Sequence, residues 1–355
     1  MKRFYLLILI AVVAGVIYFA GRAKTGTAPL STQPIAATED TAGISRIISL
    51  CKHPIPFIVL GLDASDRRLV GINPDAKTGM QSNMLNHYFP DFQNISDKVC
   101  SRAFVPNIEE IIKLKPELIL NWKRFTETNA QIQSFGFNVT GVDYNGTDEN
   151  DREMVNMVAI AIGREKKADS IMHWRDSIQE QMKLISDQIL AQKKPKVIFL
   201  YNYATLTVGG EKSYENFCIN LAGGKNMGAG LGIDRSVNVE QILAWDPDII
   251  LYGGWLLNLK PEDIYNDPFL ADVSAVRNHC VIKMPHWPSN ESVLTWKWLA
   301  EIIQPQLFNF NIREDIRATY AWMYHISLTE ADIDEVLYCH ENAGSPLYTN
   351  FKSKK

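Results

Sequence analysis

The chain is short of the groupings on which catalysis and metal storage usually rest. Its five cysteines, Cys51, Cys100, Cys218, Cys280 and Cys339, lie far apart with no CxxC pair. That scatter excludes a zinc-ribbon pattern and reads as separate buried thiols, not as a disulfide framework. No H-E-x-x-H and no G-x-S-x-G occurs, so neither a metalloprotease helix nor a hydrolase nucleophile is supported. Gly223-Gly224-Lys225-Asn226 lacks the upstream glycine and the following Ser or Thr of a phosphate-cradling loop. No strand leads into Gly228-Ala229-Gly230, as a dinucleotide fingerprint requires. Basic excess is missing as well, since the net charge of −4 excludes a nucleic-acid footprint.

What is present begins with an export signal. Lys2 and Arg3 precede an unbroken apolar run from Phe4 to Ala20. Its length falls between a signal-peptide core of roughly 7 to 15 residues and a membrane span of about 18 or more. Residues 1–23 therefore read as a signal peptide or an N-terminal membrane anchor. The folded part is expected in the periplasm or otherwise outside the cytoplasm, tethered to the inner membrane if the segment is retained. No Cys follows the run to take a lipid. Residues 24–43, rich in Thr, Ala and Pro, read as a flexible linker.

One motif occurs twice. Asn107-Ile108-Glu109 leads through Ile111 to Pro116 and the apolar run Leu118-Ile119-Leu120. Asn238-Val239-Glu240 leads through Ile242 to Pro247 and Ile249-Ile250-Leu251. Each copy predicts a short Asn-capped helix, stopped by proline and followed by a buried strand. Their separation exceeds the roughly 20 to 50 residues of a solenoid repeat, so they mark corresponding elements of two α/β lobes.

The spacing predicts an N-terminal lobe over residues 44–150, with strands at 46–50, 68–72, 118–121 and 138–142. Residues 151–194 are expected to be a helical connector, with one long helix from 166 to 192. The C-terminal lobe takes 195–345, with strands at 197–201, 205–208, 249–252 and 280–284, and 346–355 is a polar tail. Strands alternating with helices are the signature of parallel sheets. The expected fold is α/β: two Rossmann-like lobes bridged by one long backbone helix, with a ligand cleft between them.

These twin motifs, with Val208-Gly209-Gly210 and Leu221-Ala222-Gly223-Gly224-Lys225-Asn226, resemble the substrate-binding proteins of ABC importers for ferric siderophores, haem, cobalamin and a few oxyanions. The resemblance implies no intrinsic cofactor, a monomer, and delivery of a small-molecule metal chelate to a permease coupled to an ATPase. It also implies that Glu109 and Glu240 dock against arginines of that permease. A simpler reading is that first-turn acids favour the helix dipole, but matched placement in both lobes favours docking.

In open α/β sheets ligands bind beyond the carboxyl ends of the strands, and the residues there define a candidate site. In lobe one they are Lys52 and His53, then Lys77, then Trp122, Lys123 and Arg124. In lobe two they are Tyr201 and Tyr203, then Trp255, then His286 and Trp287. Aromatic faces beside basic groups suit a large, flat, negatively charged ligand, with Arg124 offering a fork for paired oxygens. Each lysine also has a plainer reading as a solvated charge, and Trp245, Trp296 and Trp298 read as packing. His53 and His286 are candidates for direct metal ligation or for structural hydrogen bonding.

The expected function is therefore a non-enzymatic binding protein delivering an iron chelate of the ferric siderophore or haem type. Within the same class, molybdate or tungstate, a corrinoid or a nickel complex are alternative cargoes. From other classes, the rivals are a surface receptor without a permease and a membrane-anchored enzyme or cofactor-assembly protein. The enzyme would need Cys51 as its reactive thiol.

Overall fold

A computed structural model describes residues 44–351 apart from 82, 145, 233, 286 and 288. The apolar run at 4–20, the linker and His286 thus lie outside the described residues. Among the described residues, no helix is long and apolar enough to cross a membrane.

The first sheet holds β1 (Ile47–Ser49), β2 (Leu69–Ile72), β3 (Leu118–Trp122) and β4 (Val139–Val142), all parallel in the order β2-β1-β3-β4. Helices α1 (Ile55–Asp63), α2 (Pro74–Gln81) and α3 (Ile108–Leu114) lie along the chain between these strands. Two helices follow, α4 (Asp148–Ile162) and α5 (Glu165–Ser186). The second sheet contains β5 (Lys196–Asn202), β6 (Thr207–Gly209), β7 (Lys225–Asn226), β8 (Asp234–Ser236), β9 (Ile249–Gly253) and β10 (Val281–Met284). Its order is β10-β9-β5-β6-β8, and β7 pairs with the start of β5. Strands β10, β9 and β5 are parallel, whereas β6 and β8 extend the edge in antiparallel fashion. Helices α6 (Tyr214–Leu221) and α7 (Val239–Trp245) belong to this half, and α8 (Ser292–Ile303), α9 (Ile312–Tyr324) and α10 (Glu330–Val336) complete the chain.

The twin motif is the same structure twice. Asn107 caps α3 by accepting from the Glu110 N–H at 3.3 Å, and Asn238 caps α7 by accepting from the Gln241 N–H at 2.9 Å. Each helix ends on a left-handed residue, Lys115 at φ 48° and Asp246 at φ 43°, with proline next. The connector differs from the continuous pattern expected for it. Gly163, at φ 69°, ends α4 and the chain restarts as α5, which stops at Ser186 and not at 192. The 205–208 strand joins its sheet antiparallel, because the chain reverses directly after β5.

Strand alternation divides the apolar residues between faces. Ile47, Leu118, Leu120, Val197, Phe199, Ile249 and Leu251 all belong to one continuous core. Their neighbours Ile48 and Ile119 face a separate outer cluster in lobe one, and Ile198, Leu200 and Ile250 face another in lobe two. The shared core runs from sheet to sheet through Phe57 of α1, Val158 of α4, Ile171 and Met182 of α5, and Trp296 and Trp298 of α8.

Buried polar residues pin this junction. Arg175 of α5 is fully buried and donates to Asp151 at 2.7 Å, to Asp148 at 2.6 Å and to the Ser289 carbonyl at 2.7 Å. Next along, Asn290 donates to the α1 carbonyls of Phe57 and Ile58 at 3.3 and 3.1 Å. Glu291 accepts from the hydroxyl of Tyr324 on α9.

Burial pushes the Glu291 carboxyl up to about 8. The folded protein then holds a proton that the unfolded chain releases at lower pH, so this group lowers stability as pH rises from the ordinary carboxylate range towards 8. Glu291→Gln keeps the shape and removes the ionisation. It should melt like the parent near pH 5 and higher than the parent near pH 8, by about 2–4 °C per kcal/mol relieved. Parallel melting curves across that pH range would reject the assignment.

Candidate ligand-binding site

The carboxyl ends of both sheets open onto a cavity of about 390 Å³. His53, Gly79 and Tyr144 line it from lobe one, and Asp151 from α4. Tyr201, Tyr214, Glu215, Trp255 and Trp287 line it from lobe two. Ser289, Tyr320 and Tyr338 close it from the C-terminal segment.

His53 follows β1 and stacks on Phe57 with ring centroids 5.1 Å apart. Its imidazole lies against the backbone of α2, where a Cβ on Gly79 would sit 2.0 Å from Nε2. Across the cavity, Trp255 follows β9 and stacks on Tyr201 at 6.1 Å with 27° between planes. The indole lies over Gly253, where a Cβ would fall within 2.4 Å of it. Glycine at both positions is therefore a matter of space for the site's own rings.

The carboxylates of the cavity differ in their partners. Asp151 is held by Arg175 and by the Ser289 hydroxyl. Glu215 accepts from the Tyr201 hydroxyl. Burial outweighs that hydrogen bond and pushes the Glu215 carboxyl up to about 7. Tyr144, half exposed overall, is raised to about 12 by desolvation of its hydroxyl and by the negative charge of Glu215. Among the described residues, no Lys or Arg lines this cavity. The arrangement can enclose a compact ligand in aromatic surface, offer it an imidazole and hydroxyls, and meet positive charge with carboxylate.

The expected site residues separate accordingly. His53, Tyr201, Trp255 and Trp287 come together, whereas Lys52, Lys77, Trp122, Lys123, Arg124 and Tyr203 lie elsewhere. Lys52 pairs with Asp75 and sits 5.0 Å from the Phe104 ring. Lys77 donates to the carbonyls of Gln93 at 3.1 Å and Ile95 at 2.6 Å. Strand β3 extends one residue past Asn121, so alternation turns Trp122 into the core with 4 % exposure. Lys123 and Arg124 are then carried outward and exposed, with the Arg124 guanidinium 5.3 Å from the Trp122 ring and 5.0 Å from that of Phe125. The Tyr203 hydroxyl donates to Asp267 at 2.6 Å, on the outer core of lobe two. His286 lies outside the described residues, so pairing with His53 has no geometry.

Sequence reasoning missed Tyr144, Tyr214, Glu215, Tyr320 and Tyr338. Tyr214 and Glu215 begin a helix after an antiparallel strand, and Tyr320 and Tyr338 come from the C-terminal helical segment. Those four follow no parallel strand, so the strand-end rule had no signal for them, whereas Tyr144 stands two residues past the parallel strand β4 and was within reach of that rule. Glu109 and Glu240 are exposed in the first turns of α3 and α7, and neither lines the cavity.

Comparison with known proteins matches residues 79–287, more than half of the chain, to the family described as "Periplasmic binding protein". A periplasmic solute binding protein of Veillonella parvula superposes with a TM-score of 0.77 at 29 % identity, covering 85 % of this chain and 94 % of that one. A molybdate-binding protein of Haemophilus influenzae is 24 % identical over 296 residues, covering 75 % of this chain and 81 % of that one. The Helicobacter pylori protein CeuE, in a Ni-His complex, has a TM-score of 0.66 at 21 % identity, covering 83 % and 94 %.

The Gly79 contact generates a test. Gly79→Ala forces the imidazole away from α2, although alanine favours the helix by about 1 kcal/mol over glycine. We expect altered His53 ring signals by NMR and faster modification by diethyl pyrocarbonate, with no fall in melting temperature. Unchanged His53 signals would show that the ring does not rest on Gly79.

Proposed function

This chain belongs to the periplasmic binding protein family, the non-enzymatic components that carry substrate to the permease of an ABC importer, and from that premise we propose that its cargo is a compact metal chelate of neutral or positive charge. The observation behind this reading is an aromatic cavity with carboxylates and no cationic side chain among its described lining residues. An anionic ferric catecholate would face Glu215 with no cationic side chain among the described lining residues to balance it, so iron would have to arrive in a neutral or cationic chelate. At about 390 Å³ the cavity lies near the lower end of the roughly 300–1,000 Å³ typical of ligand sites, and suits a small chelate better than a macrocycle. His53 offers an imidazole for an open position on the metal, chemistry suited to nickel or iron. The Helicobacter relative was solved as a Ni-His complex, and nickel chelated by one or two histidines is small and positive or neutral. The molybdate-binding relative favours an oxyanion as the second reading.

Native mass spectrometry of the protein from its own host, with titrations of nickel–histidine, ferric citrate and molybdate, tests the assignment. The neutral or cationic chelate should bind tightest and quench tryptophan fluorescence through Trp255. Trp255→Ala should weaken it about tenfold or more, while Arg124→Ala stays within about twofold. Tight molybdate binding without a metal chelate would move the assignment to the second reading.

We also propose that Glu109 and Glu240 dock the permease, one from each lobe, with residues 1–23 bringing the protein to the membrane face. Both glutamates are exposed at the second helical position behind an Asn cap. Rim ion pairs are individually modest. Charge reversal at either site should reduce uptake in part, and reversal at both should abolish it at unchanged ligand affinity. Normal uptake by the double variant would remove this role.

A further inference from the structure

We infer that Glu215 is the specificity residue of the cavity, reading a positive charge on the ligand, with Tyr201 positioning its carboxylate. The inference rests on the chelate reading above and adds the residue that selects among chelates. Several observations meet at this point. Ser213 caps α6 by accepting from the Asn216 N–H at 3.2 Å, and its hydroxyl donates to the Gly210 carbonyl at 2.8 Å. The first turn of α6 is thereby fixed to the turn after β6, and Glu215 faces the cavity from it. Its described hydrogen-bond donor is neutral, the Tyr201 hydroxyl. Asp234, Tyr144 and Cys218 are further titratable neighbours, and none of them supplies a cation.

The surrounding rings complete the recognition. Tyr201 carries Trp255 stacked on it, and Phe199 backs both, at 4.9 Å from Tyr201 and 5.7 Å from Trp255. Aromatic faces attract cations through the ring quadrupole, and a carboxylate beside them adds direct counter-charge. Asp151 is already engaged by Arg175, so it contributes shape and acceptors more than net charge. The class of ligand is thus a complex or molecule presenting an ammonium-type or metal-borne positive charge to lobe two. A structural reading is available: an acid in a first helical turn, satisfied by Tyr201. The two differ in one respect, because a purely structural glutamate does not distinguish ligand charges.

The test is calorimetric titration of the full chain with four probes: the positively charged one-to-one nickel–histidine complex, the neutral bis(histidine)–nickel complex, nickel citrate as the anion, and choline as a metal-free cation. Glu215→Gln should weaken the cationic complex by about tenfold or more and leave the neutral complex within about twofold. Tyr201→Phe should give a smaller loss in the same direction. Melting curves establish that Glu215→Gln folds, and Tyr201→Phe carries the test if it does not. Equal losses for cationic and neutral complexes, or no loss for either, would overturn the inference. Choline binding as tightly as the complex, in a Glu215-dependent way, would uphold the charge role while removing the metal-chelate reading. Tight binding of the cationic complex, undiminished in Glu215→Gln, would do the reverse.

Discussion

Arg175 is the constraint around which the molecule is organised. Its guanidinium has no exposure to solvent, and it joins the connector helix α5, the start of α4 and the segment leading into α8. The Trp296 ring lies 5.2 Å from it. A fully desolvated arginine persists only where its charge is met, and here Asp148, Asp151 and a backbone carbonyl take up its two terminal nitrogens, while Nε has no hydrogen-bond partner among the described residues. Removing one partner from such an arrangement typically costs about 3–5 kcal/mol, because the remaining charge is stranded. Since Asp151 and Ser289 also line the cavity, the same contacts that join the lobes form part of its wall.

A site made mainly of rings and acids, with no Lys or Arg among its described lining residues, is a coherent solution for a ligand that is not an anion. Lys52 is neutralised by Asp75, and Arg102 adds a second cation to that aspartate. Lys77 is spent on backbone carbonyls. Two of the basic residues at the lobe-one strand ends are thus held away from the cavity, whose described lining carries no cationic side chain.

Much of the fold was legible because apolar alternation and the twin cap–helix–proline–strand motif are local properties. Every expected strand is present, most within a residue or two of its predicted bounds. The site was legible where a residue lies at or just beyond the carboxyl end of a parallel strand on the cavity side, as His53, Tyr201 and Trp255 do, and as Tyr144 does after β4. One additional strand residue reverses side-chain direction, which is how Trp122 becomes core and Arg124 is displaced outward. The C-terminal tyrosines and Glu215 reach the cavity by tertiary packing, and no sequence period encodes that. The break at Gly163 was visible as a glycine, but only the left-handed geometry shows that it ends a helix.

The continuous core has a consequence for motion. Two sheets that share one interior have no free axis about which either can swing. Separating them would bring Leu118, Val197 and Leu251 towards water, at about 25 cal/mol for each Å² uncovered. Spontaneous gaping is therefore rare, and the shape of the cavity is fixed by the same packing that holds the chain together.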